Sequence, residues 1–375
     1  MRVIVTGGGT GGHLYPGLAV VEELGKKVSC QILFIGTRSG VEAKVVPQKG
    51  YVFQTIWISG FKRGRIWTNI FFPLKVVVSL VQALSIVYQF NAQVVLGTGG
   101  YVSWPVVMAA VLLGKKTVIQ EQNQSPGIVT RVLAPFVSSV HLSYEASRNY
   151  FRSSSRVHVT GNPTQSTLDG FSRAQGCRRF GLASNKKTLF VFGGSQGSLA
   201  INRAVLDLLP SLLKEKDIQI LWATGPRWFK EIEKKTTSNR NTIKIFPYIH
   251  DMGMAYAASD LVLCRSGATT VAEVARLGIP AIFIPFADAA GGHQKENARV
   301  LWQAGAAEMV LENQIHEGRL ESLVLSVLHD SQQRKAMGEK AKRFGRPQAA
   351  SIIADDMIAH ASHECEEVSP SEQNC

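Results

Sequence analysis

The stretch that decides the fold is Val3-Ile4-Val5-Thr6-Gly7-Gly8-Gly9-Thr10-Gly11-Gly12-His13, an apolar run that ends in glycines and leads into a helical pattern. A similar stretch lies in the second half, Thr188-Leu189-Phe190-Val191-Phe192-Gly193-Gly194-Ser195-Gln196-Gly197-Ser198. A strand that turns through glycines into a helix brings backbone N–H groups and the positive end of the helix dipole close to an anion. Two such units predict two similar α/β domains that face a shared cleft.

Short apolar runs alternate with helical patterns along the rest of the chain. Strands are expected at 3–5, 32–35, 94–96, 117–120, 140–142 and 157–159, and then at 188–192, 219–223, 243–246, 261–264 and 281–284. Helices are expected at 17–26, 76–90, 199–213, 270–277, 294–302 and 320–328. Because strands that alternate with helices form parallel sheets, the predicted fold class is α/β with two doubly wound, Rossmann-like sheets.

The domain boundary is expected near Gly161-Asn162-Pro163. The first domain would hold residues 1–160 and be completed by a C-terminal helix at about 345–362, packed back onto it. The second domain would hold residues 161–344. The last residues, 363–375, are polar and acidic, a composition that predicts a disordered tail.

The charge of the chain is concentrated in its first half. The net charge is +13, and residues 1–160 hold 16 Lys and Arg against 5 Asp and Glu. Such a basic surface suits nucleic acid, anionic lipid or a phosphorylated substrate. Because no nucleic-acid motif and no interleaving of basic with aromatic residues occurs, nucleic acid is not an expected partner.

No metal and no other cofactor is expected. The five cysteines are scattered without CxxC spacing, which favours a reducing compartment and argues against a structural zinc site. The glycine-rich segments carry no pair of aspartates, and the first aspartate of the chain is Asp169. These segments therefore offer no pair of acidic side chains to hold a metal ion.

A long uncharged stretch raises the question of a membrane. Residues 76–114 contain no Lys, Arg, Asp or Glu, but polar residues and glycines interrupt the run, so a membrane span is disfavoured. The preceding segment, 62–75, sets cations beside Trp67, Ile70, Phe71 and Phe72, a combination typical of an interfacial membrane patch. A loop that packs into the core is the alternative.

The first glycine turn fits a dinucleotide fingerprint only in part. Gly7, Gly9 and Gly12 satisfy GxGxxG, yet the residues after the second strand are Gly36-Thr37-Arg38, with no acid to hold a ribose. NAD is therefore disfavoured, and Arg38 leaves a narrow opening for NADP. His13 follows the turn and could accept a proton near neutral pH, or could serve only to order the loop.

Two further segments of the first half lie where predicted strands end. Residues 97–101 form another glycine turn, which should lie at the same sheet edge as the first turn and form a phosphate pocket with it. The amides and carboxylate of residues 120–123 suit recognition of sugar hydroxyls, with a solvated polar loop as the alternative.

In the second half, residues 264–273 run from a strand end into a helix. Ser266 and Gly267 would place backbone donors near an anion, and Arg265 would add a fixed positive fork. Glu273 could accept hydrogen bonds from ribose hydroxyls, or could serve only to stabilise the helix dipole. The polar residues 291–297 follow another strand and could reach the same site.

In combination, these segments resemble the MurG family of bacterial cell-wall glycosyltransferases, which belongs to glycosyltransferase family 28. The matching segments occur in the family's order from residue 3 to about residue 350, namely 8–19, 97–103, 121–123, 161–163, 193–197, 251–252, 264–268, 273 and 293–298.

The resemblance implies the GT-B fold and an activity. It implies inverting transfer of N-acetylglucosamine from UDP-GlcNAc to lipid I (undecaprenyl-pyrophosphoryl-MurNAc-pentapeptide), which gives lipid II for peptidoglycan biosynthesis and so serves cell shape and division. The first domain would bind the acceptor and the membrane, and the second would bind UDP-GlcNAc. The enzyme would be peripheral, on anionic phospholipid at the cytoplasmic face of the inner membrane.

The resemblance also implies roles for single residues. His13 is the expected general base, Ile249 would meet the uracil through its backbone, and Glu273 would meet the ribose. Gly99, Gly100 and Tyr101 would form the loop for the acceptor pyrophosphate. The full set of expected substrate ligands is Thr10, Gly11, Gly12, Asn123, Ser195, Ile249, Arg265, Ala268, Thr269, Thr270, Val271, Glu273 and Gln294.

Two positions depart from the family pattern, and other functions stay open. Gln165 stands where the family usually has an arginine, and His293 stands where some members have a glutamine. A glycosyltransferase with a diacylglycerol acceptor, a UDP-GlcNAc 2-epimerase and a non-catalytic nucleotide-binding adaptor are the alternatives.

Overall fold

The computed structural model describes residues 1–61, 69–152, 156–289 and 292–367, with the side chains of 316, 317 and 363–367 excepted. The chain divides into two compact units. Unit 1 comprises Met1–Gln165 and Arg346–Cys375, and unit 2 comprises Ser166–Gly345. The first division thus falls five residues later than the sequence predicted.

Unit 1 is a seven-stranded parallel sheet with helices on both faces. Its strands are β1 (Arg2–Thr6), β2 (Gln31–Gly36), β3 (Val52–Thr55), β4 (Val94–Gly97), β5 (Lys116–Glu121), β6 (Ser139–Leu142) and β7 (Val157–Val159). Its helices are α1 (Gly11–Lys27), α2 (Glu42–Gln48), α3 (Phe72–Phe90), α4 (Ser103–Leu112), α5 (Ile128–Leu133) and, from the C-terminus, α14 (Ala349–Glu367). The strand order is β3-β2-β1-β4-β5-β6-β7.

Unit 2 repeats the design with a six-stranded parallel sheet. Its strands are β8 (Lys187–Phe192), β9 (Ile218–Ala223), β10 (Ile243–Phe246), β11 (Leu261–Cys264), β12 (Ala281–Phe283) and β13 (Glu308–Met309), in the order β10-β9-β8-β11-β12-β13. Its helices are α6 (Arg173–Phe180), α7 (Leu199–Leu212), α8 (Phe229–Thr236), α9 (Met252–Ala258), α10 (Ala268–Leu277), α11 (His293–Gln303), α12 (Arg319–His329) and α13 (Ser331–Lys342).

The apolar runs of the sequence become strands that are buried on both faces. In β8, Leu189 packs into one core cluster and its neighbour Phe190 packs into the other. In β1, Ile4 and Val5 divide between two clusters in the same way. Alternate side chains of a strand point to opposite faces, so a continuous apolar run fits a sheet that helices cover on both sides. The predicted fold class is confirmed.

The eleven predicted strands are all present, and the described part of the chain holds two more. The missed strands are β3, a four-residue edge strand whose side chains are exposed or half-buried, and β13, which has two residues. α1 begins at Gly11 rather than at residue 17, because Pro16 lies inside the helix instead of starting it. Pro16 is the sixth residue of the helix, beyond the four whose N–H groups lack an intrahelical acceptor, so the hydrogen bond that another residue there would donate to the Gly12 carbonyl is absent.

The C-terminal helix α14 packs on unit 1, as predicted. Ile353 and Met357 are fully buried in the cluster that contains β1 and α1. Lys27 of α1 bonds Asp355 at 2.6 Å, and Asp356 accepts from His141 Nε2 at 2.9 Å. The helix continues to Glu367, five residues into the predicted tail, because helix formers rather than Gly or Pro follow His363. Residues 368–375 lie outside the described part of the chain.

Helix α3 is long and apolar enough to cross a membrane by length and composition alone. Its most apolar window has a mean hydropathy of 1.5, and only 17% of that window is buried. The buried side consists of Ser79, Ala83 and Val87. The exposed side adds Leu74, Val77, Val81 and Tyr88 to Ile70 and Phe71, which precede the helix. Phe72 packs against Phe61, and Trp67 lies outside the described residues.

Candidate active site

The first glycine turn joins β1 to α1 and leads to His13. Gly9 has a φ of 82°, a left-handed conformation that favours glycine. Thr10 precedes the helix in an extended conformation, and its hydroxyl lies 3.1 Å from His13 Nδ1. When Nδ1 carries the proton and donates to Thr10, His13 Nε2 is left as a proton acceptor. The first amides of α1, at Gly11 and Gly12, have no acceptor within the helix.

The turn after β4 lies directly against His13. β1 and β4 are neighbours, with Thr6 opposite Gly97, so both turns leave the same sheet edge as expected. A Cβ on Gly99 would lie 2.9 Å from His13 Cδ2, and one on Gly100 would lie 2.6 Å from the carbonyl oxygen of Gly8. The close approach therefore requires glycine at both positions. Tyr101 packs its ring beside Gly9.

The polar run after β5 is largely internal. Glu121 is buried, and its Oε2 accepts from Thr130 Oγ1 at 2.6 Å while its Oε1 accepts from the Asn123 amide N–H at 3.1 Å. Gln122 is buried and donates to the Thr98 carbonyl at 2.6 Å. The polar run thus serves to fix Asn123, which is partly exposed, rather than to offer four polar side chains to a ligand.

A carboxylate that the sequence interpretation passed over holds the first glycine turn. Glu42 begins α2 and is 1% exposed, and its Oε2 accepts from the Gly9 amide at 2.9 Å. Its Oε1 accepts from the Thr37 amide and hydroxyl at 3.0 and 2.8 Å. The sequence interpretation considered acids only at residues 36–38, directly after β2. The sequence signal that could have pointed to Glu42 is the pair of glycines, Gly36 and Gly40, on either side of Thr37.

The glycine turn of unit 2 joins β8 to α7. A Cβ on Gly193 would overlap the backbone nitrogen of Ser198, and one on Gly197 would overlap the Thr224 carbonyl. Ser198 caps α7, since its hydroxyl accepts from the Ile201 amide at 3.3 Å. Ser195 lies at the tip of the turn, ahead of this helix, and is partly exposed. The turn can thus present Ser195 and backbone donors to an anion.

Arg265 supports this turn from the end of the neighbouring strand, β11. It is 9% exposed and donates to Ser198 Oγ at 2.7 Å and to the Ile284 carbonyl at 3.1 Å. It also pairs with Glu312, and its guanidinium lies over the ring of Phe286. The described contacts of Arg265 are thus internal, and a direct contact with a ligand stays a prediction.

The start of α10 follows β11 at the same sheet edge. Ala268 and Val271 are buried, while Thr269 and Thr270 are partly exposed. Thr269 Oγ1 is buried and has no hydrogen-bond partner among the described residues. A buried hydroxyl without a partner is costly, and at the second position of a helix it is well placed for an anion.

Gln294 is tied to the same region. Its backbone carbonyl accepts from Ser266 Oγ at 2.8 Å, and its Oε1 accepts from the Phe286 amide at 3.0 Å. The side-chain nitrogen is therefore the group of Gln294 that is oriented to donate. His293 is the first residue of α11.

Glu273 is the most perturbed carboxyl group of the candidate site. Burial raises its pKa to about 7, against the hydrogen bond from Tyr256 and the charge of Arg276, which both lower it. The Tyr256 hydroxyl donates to Glu273 Oε2 at 2.8 Å. Tyr256 was not predicted from the sequence. Ile249 follows β10 and buries its side chain in the core, which leaves its backbone for a ligand.

Gln165 lies at the position where the family pattern has an arginine. Its side-chain nitrogen donates to Glu22 Oε1 of α1 at 2.7 Å. It is thus engaged within unit 1 as an uncharged donor. Among the described residues, no group of three or more His, Cys, Asp or Glu is arranged to hold a metal ion.

Two doubly wound parallel sheets, each with a glycine turn ahead of a helix at its carboxyl edge, are the architecture of the GT-B fold class. The comparisons with known proteins agree. The chain belongs to glycosyltransferase family 28, whose N-terminal domain model matches residues 3–142 and whose C-terminal domain model matches residues 188–353.

The relatives of the chain narrow this assignment. It is 44% identical, over 96% of its length and 99% of the relative's, to the UDP-N-acetylglucosamine–N-acetylmuramyl-(pentapeptide) pyrophosphoryl-undecaprenol N-acetylglucosamine transferase of Chlorobaculum tepidum. The crystal structure of Acinetobacter baumannii MurG is 28% identical, with a TM-score of 0.73 over 96% of this chain and 99% of that one. A solved UDP-N-acetylglucosamine 2-epimerase is 15% identical, with a TM-score of 0.65 over 97% of each chain, which shows a shared fold alone.

Proposed function

We propose that this glycosyltransferase transfers N-acetylglucosamine from UDP-GlcNAc to lipid I and so forms lipid II, a precursor of peptidoglycan. The observation that carries the proposal is the 44% identity to a transferase named for this reaction, over 99% of that protein's length. Both family domains match as well, so the likeness is not confined to one half of the chain.

In this proposal, unit 2 binds the donor. The diphosphate lies at the N-terminal ends of α7 and α10, where Ser195 and Thr269–Val271 supply hydroxyls and amides. The partnerless Thr269 hydroxyl supports this placement, because a phosphate oxygen would satisfy it. Ile249 meets the uracil through its backbone, Glu273 accepts from the ribose, and Gln294 donates to the sugar.

Unit 1 binds the acceptor in the same proposal. Gly99, Gly100 and Tyr101, with Thr10, Gly11 and Gly12, contact the pyrophosphate, and Asn123 contacts a sugar hydroxyl. The acceptor hydroxyl attacks the anomeric carbon while His13 Nε2 takes its proton. The bond from that carbon to the phosphate oxygen breaks, and UDP leaves with its new charge stabilised by helix ends and Ser195.

Transfer assays test this function against its alternatives. Labelled UDP-GlcNAc is incubated with lipid I, with diacylglycerol, and without acceptor, and the products are separated. Label in the lipid fraction with lipid I alone is expected. Label in glycosyl diacylglycerol would instead indicate the lipid-synthesising alternative. Conversion of UDP-GlcNAc without acceptor would indicate an epimerase, and binding of UDP-GlcNAc without any product would indicate a non-catalytic adaptor.

Glu273 gives the donor site an expected pH dependence. A carboxylate accepts hydrogen bonds better than a carboxylic acid, so uridine affinity should rise with pH through about 7 and then level off. Uridine is the probe because it carries no phosphate that titrates. Calorimetry from about pH 5.5 to 8.5 measures the curve. Tyr256→Phe should move the midpoint upward, because it removes a hydrogen bond that lowers the pKa of Glu273.

The control for this curve is Glu273→Gln, for which uridine affinity should not change with pH. A wild-type curve as flat as that of the variant would contradict a ribose contact by Glu273.

The effect of Glu273 on folding stability has the opposite sign to its effect on uridine affinity. Because the folded state holds this proton more tightly than the unfolded chain, Glu273 lowers stability as pH rises from about 4.5 to about 7.

We further propose that α3 lies on anionic phospholipid at the cytoplasmic face of the inner membrane, as part of a peripheral protein. β3 and β4, which α3 connects, are parallel strands of one sheet, so the helix must return along that sheet. Gln82 accepts from the Trp57 amide at 2.8 Å, and Lys75 donates to Ser59 at 3.0 Å. These ties support a helix that rests on a membrane rather than one that crosses it.

Removal of this apolar face should weaken membrane binding. We expect Phe71→Ser/Leu74→Ser/Val77→Ser to reduce co-sedimentation with vesicles of anionic phospholipid by tenfold or more, about 1.4 kcal/mol, since each exposed apolar side chain adds to insertion. The matched control is Trp302→Ser, an exposed aromatic residue of α11 in unit 2, which should pellet like the wild type. Equal pelleting of the triple variant would contradict the proposal.

A further inference from the structure

Glu42 is a buried carboxylate that accepts three hydrogen bonds from the segments around it. It accepts from the Gly9 amide, the Thr37 amide and the Thr37 hydroxyl. No Lys, Arg or His of the described residues forms an ion pair with it. These three hydrogen bonds offset the cost of burying the carboxyl group, and they tie it to the first glycine turn and to the loop after β2.

The glycines around Glu42 are shaped to its side chain. A Cβ on Gly8 or on Gly40 would overlap the carboxyl group of Glu42, and one on Gly36 would overlap its Cγ. The carboxyl group cannot move aside without losing its three hydrogen bonds. The first glycine turn and the loop after β2 are thus built around one side chain. At 1% exposure, that side chain is also closed to a ligand, so it is not a ribose contact.

The position of the first glycine turn determines the position of the His13 side chain. Gly8, next to the anchored Gly9, lies close to Gly100. A Cβ on Gly100 would be 2.6 Å from the carbonyl oxygen of Gly8. Gly100 and Gly99 in turn lie against the imidazole of His13. Thr10, which directly follows Gly9, holds Nδ1 of the same ring at 3.1 Å. A shift of Gly9 would therefore move both surfaces that orient the base.

We propose that Glu42 is a positioning residue, whose carboxylate anchors the Gly9 amide and thereby fixes His13 in its catalytic orientation. This inference rests on the proposed function. Because Gly9 already has an acceptor, the anion contacts of this turn fall to the following amides, at the start of α1. Glu42 touches neither substrate, and its effect on the reaction is exerted through the turn.

The test is Glu42→Gln, which keeps the shape of the side chain. A glutamine that keeps its oxygen on the two Thr37 donors must turn its NH2 group toward the Gly9 N–H, so the anchor is lost. We expect kcat with lipid I to fall by about tenfold to a hundredfold, since misplacement of a catalytic group by about 1 Å has that cost. The KM for UDP-GlcNAc should stay within about twofold, because the donor lies in unit 2. Hydrogen exchange across residues 7–14 should become faster.

The matched control is Asp356→Asn, which makes the same change of charge in the same unit. Asp356 bonds Ser139 and His141, away from the glycine turns. It should leave kcat and the exchange of residues 7–14 unchanged. A folded Glu42→Gln protein with unaltered kcat would overturn the proposal, and so would an equal loss of kcat and of UDP-GlcNAc affinity.

A second variant covers the case in which Glu42→Gln does not fold. Gly40→Ala would press on the carboxyl group from the loop side without touching the first turn, and should lower kcat in the wild-type background. The matched control is Gly25→Ala in α1, whose added Cβ meets nothing within 4 Å and which should leave kcat unchanged. A folded Gly40→Ala protein with the kcat of the wild type would overturn the proposal. If the wild type makes no lipid II, the proposed function fails, while the exchange data still report whether Glu42 anchors the turn.

Discussion

His13→Ala is expected to lower kcat for transfer to lipid I by on the order of 10² to 10⁴, the range that a positioned general base contributes. The variant removes the imidazole that contacts Thr10 and lies against Gly99 and Gly100. UDP binding should stay within about twofold of the wild type, because its expected ligands belong to unit 2. Single-turnover kinetics and calorimetry with UDP measure the two effects separately.

Added imidazole provides the control for this variant. It should restore part of the turnover of His13→Ala in proportion to the concentration of its neutral form, and should not restore the Glu42→Gln enzyme. Wild-type turnover by His13→Ala would remove His13 from the role of base. A loss of UDP affinity equal to the loss of kcat would indicate a structural role instead.

Gly193→Ala is expected to lower UDP affinity by on the order of a hundredfold, about 2.7 kcal/mol. The new Cβ would overlap the backbone nitrogen of Ser198, so the turn of unit 2 must open. Opening displaces Ser195 and breaks the hydrogen bond between Ser198 and Arg265. The anion site depends on backbone N–H groups, which converge on one point only while the turn is closed.

Calorimetry with UDP measures this loss, and circular dichroism reports whether the variant is folded. The matched control is Gly25→Ala in α1, where an added Cβ meets nothing within 4 Å. That change should leave UDP affinity intact and raise stability by about 0.5–1 kcal/mol, the helix preference of alanine over glycine. A folded Gly193→Ala protein that binds UDP like the wild type would refute a diphosphate site at this turn.

The sequence was sufficient for the architecture because its signals are local. Continuous apolar runs such as 188–192 mark strands buried on both faces, and the glycines that follow them mark the turns into helices. The pairing of β1 with β4 follows from the rules of doubly wound sheets, and it places the turns at 7–10 and 97–101 together. The sequence therefore places His13 beside both turns, and its role as the general base stays a prediction.

The parts of the candidate site that were not predicted from the sequence depend on contacts between segments that lie far apart in the chain. Glu42 reaches Gly9 across 33 residues, and Arg265 reaches Ser198 across 67, which no local pattern encodes. The internal contacts of Arg265 could not be predicted, because exposed and buried arginines look alike in a sequence. Its contact with a ligand stays a prediction. Tyr256 was missed for a similar reason, since its partner Glu273 lies on another helix.

The configuration of the new glycosidic bond, together with the identity of its acceptor, tests the account most directly. Purified enzyme is incubated with UDP-GlcNAc and lipid I, and the lipid product is analysed by mass spectrometry and proton NMR. The sugar of UDP-GlcNAc is α-linked, so direct displacement predicts a β-linked disaccharide on the lipid and one UDP released for each. An α-linked product, or UDP-GlcNAc consumed without a lipid-linked disaccharide, would contradict the account.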